Sequence, residues 1–286
     1  MAESSIPLYA TQSLAPYLSV RFELSHSKEF LNPDKDRATL SPPHIHNCIE
    51  IFFNVSGDAS FLVNNRLYPL LYGDAILSRP SDVHVCLFNK SHIHEHFCLW
   101  IEGGEELFPF LYFKREDALF RFEKEGAEAL ADLFFDLHRL VTGQGSTLEK
   151  TACFLKILSF FEHSAPPARQ EAGIPPLFQR ILDDIHEHFS EIHHVNQLTD
   201  KYFISHATLN RWFRGYLHTS PRDYLESKKL ACAVELLQRG ETVTDACMKA
   251  GFPCCSHFIV LFKKKFGCTP LKYKKRMSEG TFDSGA

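Results

Sequence analysis

The pattern of polar and apolar positions along this chain changes period twice. From Tyr17 to Ile101 the apolar residues come in short runs, alternating or mixed, such as Ile49 to Val55, Ser60 to Val63 and Ala75 to Ser78. Short runs bounded by Gly, Asn, Asp and Pro predict strands. Asn64-Asn65 and Gly73-Asp74 stand where hairpin turns are needed, since both types tolerate positive φ. A sandwich or small barrel over residues 17–101 is therefore expected. From Glu125 to Val141 the period lengthens: Ala127, Leu130, Leu133, Phe134, Leu137 and Leu140 share one helical stripe, ended by Gly143 and Gly145. A second helix is predicted from Thr147 to Glu162 through Cys153, Phe154, Ile157, Leu158 and Phe161. The pair either caps the β domain or meets the same helices of a second subunit. His163 to Pro176, with its prolines and small polar residues, reads as a linker, and all that follows has helical period.

This reading gives an α+β chain of two domains: residues 1–162, with the β part over 17–101 and helices over 125–162, then a linker over 163–176 and an all-α domain over 177–286. The length of 286 residues suits two cores. A composition of 44% hydrophobic and 23% charged residues is that of a globular protein. No stretch offers 18 uninterrupted apolar residues, and Met1 to Tyr17 has neither Lys nor Arg, so neither a membrane span nor a secretory signal is expected. Nine cysteines without a C-x-x-C pair fit neither a disulfide framework nor a zinc ribbon; a reducing cytoplasm is the expected location. The net charge of −4 is unevenly placed. From Pro176 onward there are 16 Lys and Arg against 12 Asp and Glu, or +4, which leaves −8 for the rest, and Lys263 to Arg276 holds seven basic residues and no acidic one.

The helical part contains a near-repeat. Leu198 to Tyr224 and Val243 to Tyr273 each open with Thr-Asp, pass a turn, and enter an amphipathic helix. Leu209 and Phe258, Phe213 and Phe262, and Pro221 and Pro270 are offset alike. A short helix, a tight turn and a longer helix make a helix-turn-helix, here over about 195–218 and again over 243–267. Ser205 is placed to cap the second helix of the first copy. Leu209, Trp212, Phe213 and Tyr216 would face the core, leaving His206, Ala207, Asn210, Arg211 and Arg214 outward. Asn and Arg suit adenine and guanine edges.

The stretch from Gln197 to Arg276 resembles the C-terminal domain of the AraC/XylS family of regulators. The residues that match are Ser205, Leu209, Arg211, Phe213, Ser220-Pro221 to Tyr224, Leu230, Ala233, Leu236-Leu237, Gly251-Phe252, Ser256, Phe258, Phe262 to Lys264, Gly267 and Thr269-Pro270. The resemblance implies two helix-turn-helix units joined by a long helix at about Pro221 to Gln238, both inserted in adjacent major grooves of an operator. In the second unit the family's polar cap, Gln and outward Arg are replaced by Pro253-Cys254-Cys255 and Ile259-Val260. Cys255, Ser256 and Ile259 would then face DNA with few base-reading donors, while Lys263, Lys264 and Lys265 hold phosphates. Cys254-Cys255 reads as small residues filling a helix start in preference to a redox pair.

His44, His46 and Glu50, followed by Gly57, have the spacing H-x-H-x3-E-x6-G, and His84 stands where a fourth group would return. On one strand, positions 44, 46 and 50 share a face. The pattern resembles the cupin motifs of a small β-barrel, its second motif altered around Asp82. Three His and a Glu suit Zn, Mn, Fe or Ni. The same four residues could instead contact a small-molecule effector, for which the family resemblance suggests a sugar. The row His92, His94, His96 reads as a half-exposed edge strand. The resulting expectation is a dimeric, effector-responsive DNA-binding regulator, an activator working with RNA polymerase and not an enzyme. Its rivals are a metal-dependent cupin enzyme fused to a DNA-binding module and a regulator without ligand.

Overall fold

The computed structural model describes residues 10–14, 20–31, 43–46, 48–56, 59–63, 65–80, 82–88, 92–112, 118–162 and 174–278. These fall into two compact units, the first drawn from the chain up to Ala172 and the second mainly from Gly173 onward. The predicted linker lies outside the described residues as far as 173, as do Asn47, Gly57 and Asn64.

The first unit is built from nine strands and three helices among the described residues: β1 (Ala10–Leu14), β2 (Val20–Leu31), β3 (Ile49–Ser56), β4 (Ala59–Val63), β5 (Arg66–Leu70), β6 (Ala75–Ser78), β7 (His84–Phe88), β8 (His92–Glu102), α1 (Pro109–Tyr112), β9 (Leu119–Phe120), α2 (Lys124–Thr142) and α3 (Thr147–Glu162). A six-stranded sheet has the order β1-β2-β8-β3-β6-β9, and a three-stranded sheet the order β5-β4-β7. Register follows the pleat. On β3, Ile49, Ile51 and Phe53 join Phe22, Leu24, Leu77, Phe97 and Leu99 against Leu130, Phe134, Phe154 and Ile157 of α2 and α3. Phe22 stacks on Phe154 with ring centroids 4.6 Å apart, and Phe53 on Phe134 at 4.7 Å. The alternate residues Phe52, Ile76 and Cys98 meet Ala59, Phe61, Val63 and Phe88 of the smaller sheet in a second core. Because the large sheet is covered on both faces, β3 is buried nearly throughout, which is why its sequence reads as an apolar run. The helices thus lie on the β domain, with Leu133 and Leu140 at the margin of the buried stripe.

One detail differs from expectation. β8 pairs with β2 on one side and β3 on the other, so the His92, His94, His96 row is not an edge. His92 alone is exposed; His94 is buried and His96 stacks on Phe52 at 4.7 Å, inside the inter-sheet core. Alternation reports a face and not a strand's place in the sheet. The turn at Gly73 has the positive φ expected of it, +77°, and is tight: a Cβ there would lie 2.4 Å from the Cβ of Ala127.

The second unit is helical: α4 (Pro176–His188), α5 (Asn196–Tyr202), α6 (His206–Leu217), α7 (Pro221–Gln238), α8 (Val243–Lys249), α9 (Cys255–Phe266) and α10 (Pro270–Ser278). The repeat seen in the sequence is kept in packing. Phe213 of α6 lies 5.5 Å from Tyr224 of α7, and Phe262 of α9 lies 5.3 Å from Tyr273 of α10. Side-chain oxygens cap three of the starts: Ser205 accepts from Thr208 N, Ser220 from Asp223 N, and Thr242 from Asp245 N. Among the described residues no helix is long and apolar enough to cross a membrane.

Candidate DNA-reading helices and a buried histidine-carboxylate group

Helix α6 buries Leu209 and Phe213, against Phe178 of α4 and Tyr224 of α7, and half-buries Trp212 and Tyr216 beside Phe178. That packing fixes which face is left over. His206, Ala207, Arg211 and Arg214 are exposed on it, as the sequence predicts. Asn210 is half-buried, and its amide Nδ2 donates back to the carbonyl of His206 at 2.9 Å, which takes up one of its two N–H donors. Helix α9 buries Phe258 and Phe262 and exposes Ser256, Ile259, Val260, Lys263 and Lys264, while Cys255 and Lys265 are half-buried. Cys254 stands at the N-cap without making a cap hydrogen bond. The amides at the start of α9 therefore lack the side-chain acceptor that Ser205 gives α6.

The two helix-turn-helix units are tied by a side chain the sequence did not single out. Lys229, on the buried face of α7, donates from Nζ to the carbonyl of Ile192 at 2.8 Å and to that of Gly251 at 2.7 Å. One carbonyl precedes α5 and the other follows α8, so the connector helix clasps both units at once. Burial pushes the Lys229 ammonium below its ordinary range, with Glu226 opposing the shift. Gly251 itself has φ of +78° and packs on the backbone of Ser190. A lysine in a helical stripe ordinarily reads as solvated, and only the tertiary contact gives it away.

In the first unit, Glu50 of β3 is buried and its Oε2 collects three groups: His46 Nε2 at 2.5 Å, His84 Nε2 at 3.1 Å and Trp100 Nε1 at 3.2 Å. Burial alone would raise the Glu50 carboxyl, but the hydrogen bonds from His46 and His84 and their charge hold it well below the ordinary carboxylate range. The opposite ring nitrogens face backbone carbonyls: His46 Nδ1 lies 3.1 Å from Cys48 O, and His84 Nδ1 lies 2.8 Å from Asp82 O. With Nδ1 turned to a backbone carbonyl, each ring leaves Nε2 toward the Glu50 carboxylate. Within the first unit, one donor atom from each of His46, Glu50 and His84 lies within 4.8 Å of the others, while His44 belongs to the second unit. The backbone carbonyls behind His46 and His84 are the outer shell that orients metal-binding imidazoles, so the donor set fits a divalent metal. The expectation of a single strand for positions 44, 46 and 50 is corrected: β3 starts at Ile49, and His44 and His46 come from the irregular segment before it.

Comparison with known proteins agrees with this geometry. A family model described as a helix-turn-helix domain matches residues 198–276. The HTH-type transcriptional activator RhaS of Enterobacter sp. (strain 638) is 22% identical over 264 residues, covering 89% of this chain and 94% of that protein. RhaS of Escherichia coli (strain K12 / DH10B) is 23% identical over 240 residues, 80% of this chain and 86% of that protein. Among solved structures, ToxT from Vibrio cholerae O395 is similar at 14% identity and a TM-score of 0.38, covering 92% of this chain and 99% of that one. Residues 198–276 therefore carry a helix-turn-helix domain, and over most of its length the chain is similar to transcription activators of the AraC type.

Proposed function

We propose that this protein is a cytoplasmic, dimeric activator that reads an operator with α6, holds the neighbouring phosphates with α9, and responds to a small effector bound in the first unit. The division is residues 1–162 for effector binding and dimerisation, a linker over 163–176, and 177–286 for DNA. The observation that supports it most is the contrast between the two outward faces. Helix α6 offers His206, Arg211 and Arg214, whereas α9 offers Ser256, Ile259 and then Lys263 and Lys264. Arg matches the edge of guanine, while lysines past an apolar helix start suit phosphate. Selection of duplexes from a random pool tests the reading. Arg211→Ala should relax preference at one or two base pairs by about 1 to 3 kcal/mol. Lys264→Ala should weaken all sequences alike and lower the salt slope by about one. Equal loss of preference from Ile259→Ala would overturn this division of labour.

His46, Glu50 and His84, with His44 as the sequence pattern adds it, form the effector site in this reading, and a divalent metal is one occupant that their donor set fits. Bound there, a divalent metal would take the Nε2 atoms and the Glu50 carboxylate and could present an open position to an oxygen-bearing ligand. A sugar is the effector class carried over from the family resemblance. Incubation with Zn, Mn, Fe or Ni followed by metal analysis of the desalted protein should return one equivalent per chain, and Glu50→Gln should lose it. Metal-free protein in both preparations would leave the four residues as direct contacts for an organic effector. Turnover of a candidate substrate by metal-loaded protein would instead favour an enzyme fused to a DNA-binding module. Activation would require contact with RNA polymerase, and a dimer would place two copies on one operator.

A further inference from the structure

In the turn between α5 and α6 the backbone of Phe203 lies in the left-handed region, with φ of 51° and ψ of 44°, and its N–H closes α5 by donating to Thr199 O. This position is ordinarily glycine, because any Cβ there meets the backbone. The second helix-turn-helix follows the rule: after α8 the left-handed residue is Gly251. A bulky residue at positive φ is an outlier that costs of order 1 to 2 kcal/mol. Burial of the ring does not offset that cost, since Phe203 is 94% exposed, more than any other large hydrophobic residue described. Strain and an exposed aromatic thus coincide at one residue, for which the fold itself gains nothing.

The surroundings indicate what the ring meets. Two residues on, Ser205 caps α6, and Ser205, His206, Ala207 and, one turn further, Arg211 are exposed. In a helix-turn-helix the turn and the first residues of the second helix approach the strand bordering the major groove. The neighbouring Lys201 is held by Asp184 at 2.7 Å, which leaves an uncharged, flat group at the tip of the turn. We infer that the Phe203 ring is a DNA-contacting group of the first unit, seated on the apolar edge of the duplex, either a deoxyribose face or a thymine methyl, beside the groove that α6 enters. The inference rests on α6 being a DNA-reading helix.

The test uses the full chain and a duplex that the unmodified protein selects from a random-sequence pool. Phe203→Gly removes ring and strain together. Its melting temperature should hold or rise while its affinity for the selected duplex falls about tenfold, with no change in salt slope because no charge is lost. Phe203→Asn also tolerates the left-handed backbone, so it should lose binding to the same extent and exclude added glycine flexibility as the cause. Phe203→Trp should retain binding. Both ring-less variants binding as tightly as the unmodified protein would overturn the assignment. So would normal DNA binding joined to failed transcription with RNA polymerase, which would make the ring a protein contact. If the unmodified protein selects no duplex, the DNA reading of α6 fails first and is seen to fail separately.

Discussion

Replacing Gly251 by alanine is expected to unfold the DNA-binding unit at ordinary temperatures or nearly so. A Cβ built on Gly251 would lie 2.1 Å from the carbonyl oxygen of Ser190 and 2.5 Å from its Cα. Both are backbone atoms, so no rotamer change relieves the clash, and the φ of +78° adds left-handed strain of about 1 kcal/mol. Movement of the Gly251 backbone would also pull its carbonyl from Lys229 Nζ, leaving a buried ammonium with half its partners. Each consequence belongs to the short list of mechanisms that exceed about 4 kcal/mol when combined. For a unit of this size that corresponds to a fall in melting temperature of roughly 15 °C or more. Gly240→Ala is the control. It has φ of +90° but nothing within 4 Å of the added Cβ, so it should cost only about 1 kcal/mol. Calorimetry of the two variants decides the matter, since similar melting of both would mean that the contact with Ser190 yields without cost.

That prediction marks where the sequence stops being informative. Helices α3 and α6 begin and end close to where the pattern places them, because their starts have local signals, a glycine stop before α3 and Ser205 before α6, while α7 falls where the family resemblance implies it. The outward face of α6 followed from period, Asn210 apart, and that of α9 from the resemblance. The clasp between the two units did not, since Lys229, Ile192 and Gly251 are far apart in the chain and a lysine carries no mark of burial. The four metal-type donors were recognisable in the sequence as a set, while their placement was not. Period 2 suggested one strand, whereas His46 reaches Glu50 from the irregular segment before β3. The inner position of β8 was equally hidden, since a strand's neighbours leave little trace in its own alternation.

The depth of β8 has a consequence that titration should reveal. His96 stacks on Phe52, and its Nδ1 is sealed from solvent with no hydrogen-bond partner, although part of the ring edge reaches the surface. Burial lowers its basicity first, Glu50 partly opposes the shift, and the neighbouring His94 and His26 add to it, bringing the imidazole from 6.5 to about 4. In the unfolded chain the same imidazole binds its proton near the ordinary value. Between the two, the unfolded state holds more protons than the folded one, so stability rises with pH across that window and is lost as pH falls through it. The full difference is on the order of 3 kcal/mol, present above about pH 6.5 and gone by about pH 4. Urea unfolding of the full chain at intervals from pH 7 to pH 4 measures it, with His96→Phe as the reference because phenylalanine keeps the ring against Phe52 and cannot take a proton. The variant should match or exceed the unmodified protein at pH 7, where it also removes an unpaired buried nitrogen, and the gap should widen in its favour as the solution is acidified. Parallel curves for the two proteins would show that the His96 ring is hydrated in the folded state and that the inter-sheet core is open to water at this point.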